Sequence, residues 1–462
     1  NFELLLQYYP NSSLREPAAA MLLCSLNKLK QYDHTITFGT RYIIDFPDDE
    51  NPWRGRTLYF LGEACYYRDN FADAEKHYLK VTNAFFGIEI TPYARLGLAY
   101  AIYNQNRTKE AFEIFNSMGQ TPFDDSSLVI AIYLGIGYTR YNQADYGSAL
   151  DDFEAVYNTY PKDERSAVPA LFYAGMSYYK LEYYGQAIEA WEELLGTFPL
   201  STKSAEAGFR AGDTYFKAAE YEKARALFRW TVENHPLCEY ARSSQLAIGQ
   251  GYYNEQVFDD AIREFQKFLD LFPTSDEAAS ARKSMAMCYY RKGLESIDDM
   301  KQFVAKFPHD ELAADGQYQI ARNYFDEENY LRAIDEFLKV TVNFPTSSYA
   351  PDALIYAAES AVNIESWKKA SELYKRYLSY FPKAKQKDGV YFNLGTVYYN
   401  LKDYGEALVN FQAVIDSFPN STNLQNARHN VDICKKLLGE GGVAPPAPVI
   451  EEVVADSLEG KE

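Results

Sequence analysis

The chain has 462 residues, enough for two or three ordinary domains or for one long repeat array, and its 47% apolar content excludes wholesale disorder. With 65 acidic against 46 basic residues it carries a net charge of -19, a surface that repels phosphate backbones and anionic headgroups and so speaks against a nucleic-acid partner. Tyrosine is the outlier, with 41 Tyr beside 29 Phe and 4 Trp.

The chain opens at Asn1 directly in helical pattern, NFELLLQYYP, which reads as the end of a preceding repeat helix over residues 1–10 and leads to the expectation that a segment before it has been removed. No run of about 18 apolar residues follows, so neither a membrane span nor a signal peptide is expected. An aromatic-Pro mark (His-Pro once) then recurs at Pro10, Pro47, Pro161, Pro199, Pro236, Pro273, Pro308, Pro345, Pro382 and Pro419, most often 37 residues apart, and the gap of 114 from Pro47 to Pro161 is three units of 38. That gives eleven units between Pro10 and Pro419.

Aligned units share further columns. Gly175, Tyr178, Ala187, Trp191 and Pro199 match Gly212, Tyr215, Ala224, Phe228 and Pro236, and the set returns at Gly249 and at Gly395. Gly and Ala mark where two antiparallel helices approach, the rings fill the space beside them, and Pro ends the second helix because it cannot continue the hydrogen-bond ladder. Ser or Asp two residues after Pro, as in FPTSDEAA and FPHDELAA, is expected to cap the next helix. Tyr184, Ala187, Ile188, Trp191, Leu194, Leu195 and Phe198 form the stripe of an amphipathic second helix, whereas the first helix, VPALFYAGMSYYK, is apolar on nearly all sides.

Three places depart from this pattern. The LGxxY motifs at Leu96–Tyr100 and Leu134–Tyr138 stand two residues early, implying a longer turn or a shifted register. FFGIEI at 85–90 is apolar where a turn should be polar; it reads as an irregular packed junction, with a docking patch as the alternative. The unit ending at Pro308 is two residues short, lacks the small residue of its second helix and restarts on a fresh cap at Ser296, which points to a local kink. After the polar-faced helix NLQNARHNVDICKKLL, taken as the solenoid's end cap, residues 439–462 read as a flexible acidic Pro/Gly tail in which only VIEEVV is expected to be ordered by a partner.

The sequence L/A-G-x-x-Y, Ala, aromatic, Pro resembles the tetratricopeptide repeat over residues 11–438, and the added FPxSxxAxxA cap resembles the bacterial cell-envelope subgroup of outer-membrane-assembly lipoproteins and the Tol-Pal-associated coordinator. The resemblance implies an all-α, right-handed α-solenoid of about eleven helix pairs with a C-terminal capping helix, located in the periplasm or cell envelope of a bacterium, a cytoplasmic location being the alternative. By family geometry the positions three before and four after the Gly/Ala column face the groove. Here they are Tyr59, Tyr66, Phe172, Tyr179, Phe209, Phe216, Tyr318, Phe325, Phe392 and Tyr399, with Tyr253 between. This aromatic ladder is expected to bind proteins or peptide segments. Cochaperones of the family that grip a terminal carboxylate carry Lys and Asn there, which this chain does not.

No catalytic site is expected. Phosphate loops, HExxH and nucleophile elbows are absent, and the acidic pairs Asp151-Asp152 and Asp298-Asp299 read as solvated helix faces. Five scattered cysteines and five scattered histidines offer neither a disulfide framework nor a metal site, and no cofactor is expected. The expected function is therefore a non-catalytic protein-interaction scaffold in an envelope assembly. The alternatives are a purely architectural spacer, whose ladder rings pack against neighbouring repeats, and a cytosolic tetratricopeptide regulator. The oligomeric state is left open.

Overall fold

The computed structural model describes residues 2–45 and 51–440. Their regular secondary structure is entirely α-helical, with no strand among the described residues. The chain divides into two compact units, residues 1–251 and 252–462. The first holds α1 (Phe2–Tyr8), then the pairs α2 (Arg15–Lys28) and α3 (Tyr32–Asp45), α4 (Pro52–Tyr67) and α5 (Phe71–Ala84), α6 (Thr91–Asn104) and α7 (Thr108–Gly119), α8 (Ser126–Asn142) and α9 (Tyr146–Thr159), α10 (Glu164–Lys180) and α11 (Tyr184–Thr197), and α12 (Thr202–Lys217) and α13 (Tyr221–Asn234). Most of α14 (Glu239–Asn254) belongs to it as well. The second unit takes the end of α14 and continues with α15 (Phe258–Leu271), α16 (Ala278–Gly293) and α17 (Ile297–Lys306), α18 (Ala313–Asp326) and α19 (Tyr330–Asn343), α20 (Ala350–Asn363) and α21 (Trp367–Tyr380), α22 (Lys387–Asn400) and α23 (Tyr404–Ser417), and the closing helix α24 (Leu424–Glu440). Eleven pairs between α1 and α24 meet the expectation of an all-α repeat solenoid. The tail expected after α24 lies, from residue 441 on, outside the described residues.

Ten of the eleven pairs are closed by the same turn, the exception being α16–α17, where Leu294 ends the first helix at φ -67. The first helix ends on a residue in the left-handed region, found at Lys30, Asp69, Asn106, Ala144, Glu182, Ala219, Gln256, Glu328, Glu365 and Lys402, none of them glycine. At Ala219 (φ 59) the amide returns to the Phe216 carbonyl at 3.0 Å and the Glu220 amide to Tyr215 at 2.9 Å, which satisfies carbonyls the helix end would otherwise leave open. The turn between pairs is built differently. Phe198, Phe272, Phe307, Phe344 and Phe418 leave the second helix near φ -130, a conformation suited to the residue before Pro. The amides of Ser201, Ser275, Asp310, Ser347 and Ser421 then close back onto those carbonyls, with Pro in the second position of the turn. The expected cap is met at Ser201, the N-cap of α12, which accepts from the Lys203 amide, while Asp310 and Ser421 accept from the amides of Leu312 and Asn423 just ahead of α18 and α24. After Ser275, Asp310 and Ser347 the helix begins later, on Glu277, Leu312 and Tyr349, without a side-chain cap.

Within a pair, the ring of the second helix lies on the small residue of the first. A methyl added to Gly62, Gly175, Gly212 or Gly395 would come within 2.8, 2.4, 2.7 and 2.8 Å of Tyr78, Trp191, Phe228 and Phe411. Those rings are fully buried, and the Trp191 indole also donates to the Phe172 carbonyl at 3.2 Å. In α11 the predicted stripe is buried at Ala187, Ile188, Trp191, Leu194 and Leu195, while Tyr184 at its start stays exposed.

The early LGxxY motifs do reflect a shifted register. A methyl on Gly97 would strike Tyr78, and one on Gly135 would strike Phe115, both on the preceding pair's second helix. These glycines therefore serve the junction between pairs. The column itself is carried by Ala99, fully buried, and by Gly137, whose partner is Phe153 of its own pair. With them the column runs 62, 99, 137, 175, 212 at intervals of 37 or 38.

FFGIEI packs in part. Phe85 is buried, with Ile88 beside it against Gly55, whereas Phe86 is 81% exposed. In the short unit Ser296 caps α17 by accepting from the Asp299 amide, as expected, and Met300 lies against Gly293. The thiols of Cys65, Cys288 and Cys434 are buried, and burial pushes them up to about 11, about 12 and about 11; all five cysteines are free.

Candidate protein-binding surface

The ladder residues sit on first helices: Tyr59 and Tyr66 on α4, Phe172 and Tyr179 on α10, Phe209 and Phe216 on α12, Tyr253 at the end of α14, Tyr318 and Phe325 on α18, and Phe392 and Tyr399 on α22. None is fully exposed. Tyr59, Tyr66, Tyr179, Phe209, Phe216, Tyr253, Tyr318 and Phe325 are half-buried, while Phe172, Phe392 and Tyr399 are buried at 2%, 1% and 5% exposure.

One contact recurs along the ladder. The ring four after the column meets, edge to face across the left-handed turn, the first ring of its own second helix: Tyr66 with Phe71 at 5.4 Å, Tyr179 with Tyr184 at 5.3 Å, Phe216 with Tyr221 at 5.2 Å, Tyr253 with Phe258 at 5.8 Å, Phe325 with Tyr330 at 5.6 Å and Tyr399 with Tyr404 at 5.5 Å. Neighbouring first helices add sideways ties. Phe209 meets Tyr240 at 5.7 Å, Phe325 meets Tyr356 at 5.3 Å, and the Lys217 ammonium donates to the Tyr179 hydroxyl at 3.3 Å. Phe172 is covered by the Lys203 ammonium 4.4 Å from its ring centre and the Arg210 guanidinium at 5.9 Å. Both cations also bind Glu206 and hold its carboxyl below the ordinary range, although burial alone would raise it.

Once the column is placed at Ala99 and Gly137, the ladder gains members that sequence reasoning missed. Tyr103 and Tyr141 stand four after the column on α6 and α8. Tyr141 meets Tyr146 at 5.2 Å in the same edge contact, and Asn142 donates to the Tyr103 hydroxyl at 2.8 Å as Asn104 does to Tyr66 at 2.9 Å. In the first unit, then, an aromatic stands at this position on α4, α6, α8, α10 and α12. The second unit is interrupted, because the matching residues of α20, Ile355 and Val362, are aliphatic and buried.

Much of the tyrosine excess is structural. Phenols donate to carboxylates across the stack: Tyr42 to Glu16 at 2.9 Å, Tyr78 to Glu63 at 2.6 Å, Tyr93 to Asp125 at 2.6 Å, Tyr178 to Glu154 at 2.5 Å, Tyr157 to Glu193 and Tyr290 to Asp315. Burial pushes the Glu63 carboxyl up, and the Tyr78 and Tyr59 hydroxyls partly offset that. Three of the four residues in the acidic pairs are ion-paired: Asp152 takes Arg140 at 2.7 Å, Asp298 takes Lys301 at 3.1 Å and Asp299 takes Lys292 at 3.6 Å, while Asp151 is exposed. Among the described residues no cluster of His, Cys, Asp and Glu could hold a metal ion, and no helix is long and apolar enough to cross a membrane.

The YfiO outer membrane lipoprotein family model matches residues 201–355 and again 313–443, and two tetratricopeptide repeat models match 58–125 and 169–201. No curated protein matches the chain. Among solved structures it is similar to MamA from Desulfovibrio magneticus RS-1 (16% identity, covering 40% of this chain and 97% of that one, TM-score 0.34) and to PilF of Pseudomonas aeruginosa (17%, 49% and 96%, 0.37). It is also similar to a tetratricopeptide repeat protein from Parabacteroides merdae ATCC 43184 (16%, 67% and 97%, 0.32). The helix pairs, their columns and the family models agree: the chain belongs to the tetratricopeptide repeat family, in the branch whose repeats the outer membrane lipoprotein model describes.

Proposed function

We propose that this repeat protein is a non-catalytic scaffold of the bacterial cell envelope that holds protein segments against the aromatic face of its first helices. The family's fold is an interaction fold, and the envelope setting is supported by the lipoprotein model, which takes in more than half of the chain. The observation that carries the binding reading is the run of half-buried rings at one position of five successive pairs, α4 to α12. Rings fixed on one side by their own pair and open on the other present large contact area already ordered, which lowers the entropic cost of binding. The acidic surface adds attraction for basic segments, so association should weaken with salt while the ring contacts persist.

A second reading, an architectural spacer, is favoured by Phe172, Phe392 and Tyr399, whose rings are spent on the stack itself. A photo-crosslinking residue placed at Phe216 in the native cell separates the two. Crosslinks to one protein segment, lost when the same residue is moved to the exposed Glu222 on α13, support the binding face; equal or absent crosslinking at both positions favours the spacer. The compartment is tested by fractionation of the same cells, with recovery in the cytosol contradicting the envelope reading.

A further inference from the structure

The short unit leaves a notch. Its second helix, α17, has 10 residues where its neighbours α15 and α19 have 14, while α16 has 16 against 14 in α18. The missing first turn of α17 is not replaced. In its place lies a cavity of about 250 Å3 between the α16–α17 turn and α18. Leu294, Ile297 and Met300 give it apolar walls; Glu295, Gln319 and Asn323 supply carboxylate and amide oxygens, and Arg322 and Asp326 line it as an ion pair. The Asn323 Oδ1 is buried without a hydrogen-bond partner, and the Glu295 carboxylate has no ion pair among the described residues. An unmet acceptor at a cavity wall costs free energy until a donor arrives.

The positive groups nearby are already engaged. Arg322 pairs with Asp326 at 3.2 Å and lies 4.5 Å over the Tyr356 ring, and the positive end of α17 is met by Ser296, Asp298 and Asp299. What is left is an acceptor-rich rim over an apolar floor. That combination fits a long side chain with a methylene stem and a cationic head. Arg322 also touches Phe325, so the notch opens beside the ladder.

We infer that the notch takes a lysine or arginine side chain of the segment held on the first-helix face. This rests on the binding reading above, but its test does not. N-acetyl-arginine-N-methylamide is titrated into the full chain and followed by backbone and side-chain amide NMR. The expected result is saturable shifts confined to residues 293–297 and 319–326, with a Kd of about 1–10 mM. Glu295→Gln, at an exposed position that leaves the fold intact, should weaken this at least about fivefold. The capped citrulline twin, which keeps the stem and loses the charge, should give little shift. Absence of saturable shifts, equal binding of citrulline or of capped glutamate, or a Glu295→Gln variant that binds normally overturns the inference. None of these outcomes depends on Phe209 or Phe216, whose replacement tests the aromatic face separately.

Discussion

The pairs α12–α13 and α16–α17 do the same job with different parts. In the first, the Phe228 ring lies on Gly212, a left-handed Ala219 closes the turn, and Phe216 meets Tyr221 across it. In the second, Met300 lies on Gly293, Leu294 ends the helix at φ -67 in the ordinary helical region, and no ring stands at the start of α17. A buried ring on a small residue is thus one way to lock two helices; backbone contact through a glycine is another. Only the first way sets a ring at the start of the second helix. The second leaves a polar notch.

Removing each lock should give the largest effects. Phe228→Ala empties a fully buried ring site and should cost about 3–5 kcal/mol, whereas Met300→Ala should cost about 2–3 kcal/mol, read as urea midpoints and as amide-exchange protection of the affected pair. Equal costs would mean the two locks do not differ. Next come the glycines. A methyl on Gly293 would meet the Met300 Cα at 2.8 Å, and backbone cannot swing aside; on Gly212 it meets the Phe228 ring, which can tilt. Gly293→Ala should therefore cost about 2–3 kcal/mol and Gly212→Ala about 1–2 kcal/mol despite the better helix propensity of alanine. A stabilised Gly293→Ala would show that the crossing is looser than described. The smallest effect has opposite signs in the two pairs. Ala219→Gly relieves a left-handed alanine and should add about 0.5–1 kcal/mol, while Leu294→Gly, in the helical region, should lose about 1 kcal/mol, measurable as a rise and a fall in Tm.

This comparison also marks what the sequence could and could not disclose. The repeat was legible because Gly175, Trp191 and Pro199 each have one mechanical task and recur wherever the task does. The short unit was visible as a missing residue count and a fresh cap at Ser296. Its notch was not, since an absent helical turn has no residues to read. The register of α6 and α8 hid for another reason: Gly97 and Gly135 sit in the right motif but serve Tyr78 and Phe115 of the preceding pair, a choice that only the packing discloses. Counting 37 or 38 from Gly62 and Gly175 would have found Ala99 and Gly137, and with them Tyr103 and Tyr141. The ladder positions were legible, but not how much of each ring is spent. Phe172 vanishes beneath Lys203 and Arg210, which come from the next pair.

The central claim, that half-buried rings of the first helices bind a protein segment, meets its most direct test in the double change of Phe209 and Phe216 to Ala. Both rings contact Phe228, at 5.7 and 6.4 Å, so some loss of stability is expected under either reading and the thermal transition must be measured alongside affinity. Below that transition, with the chain fully folded by circular dichroism, the partner segment identified by crosslinking from position 216 should bind about 2–4 kcal/mol more weakly to the variant than to the native chain. A variant that melts early yet binds the same segment at full affinity would contradict the claim and assign the ladder to the core of the stack.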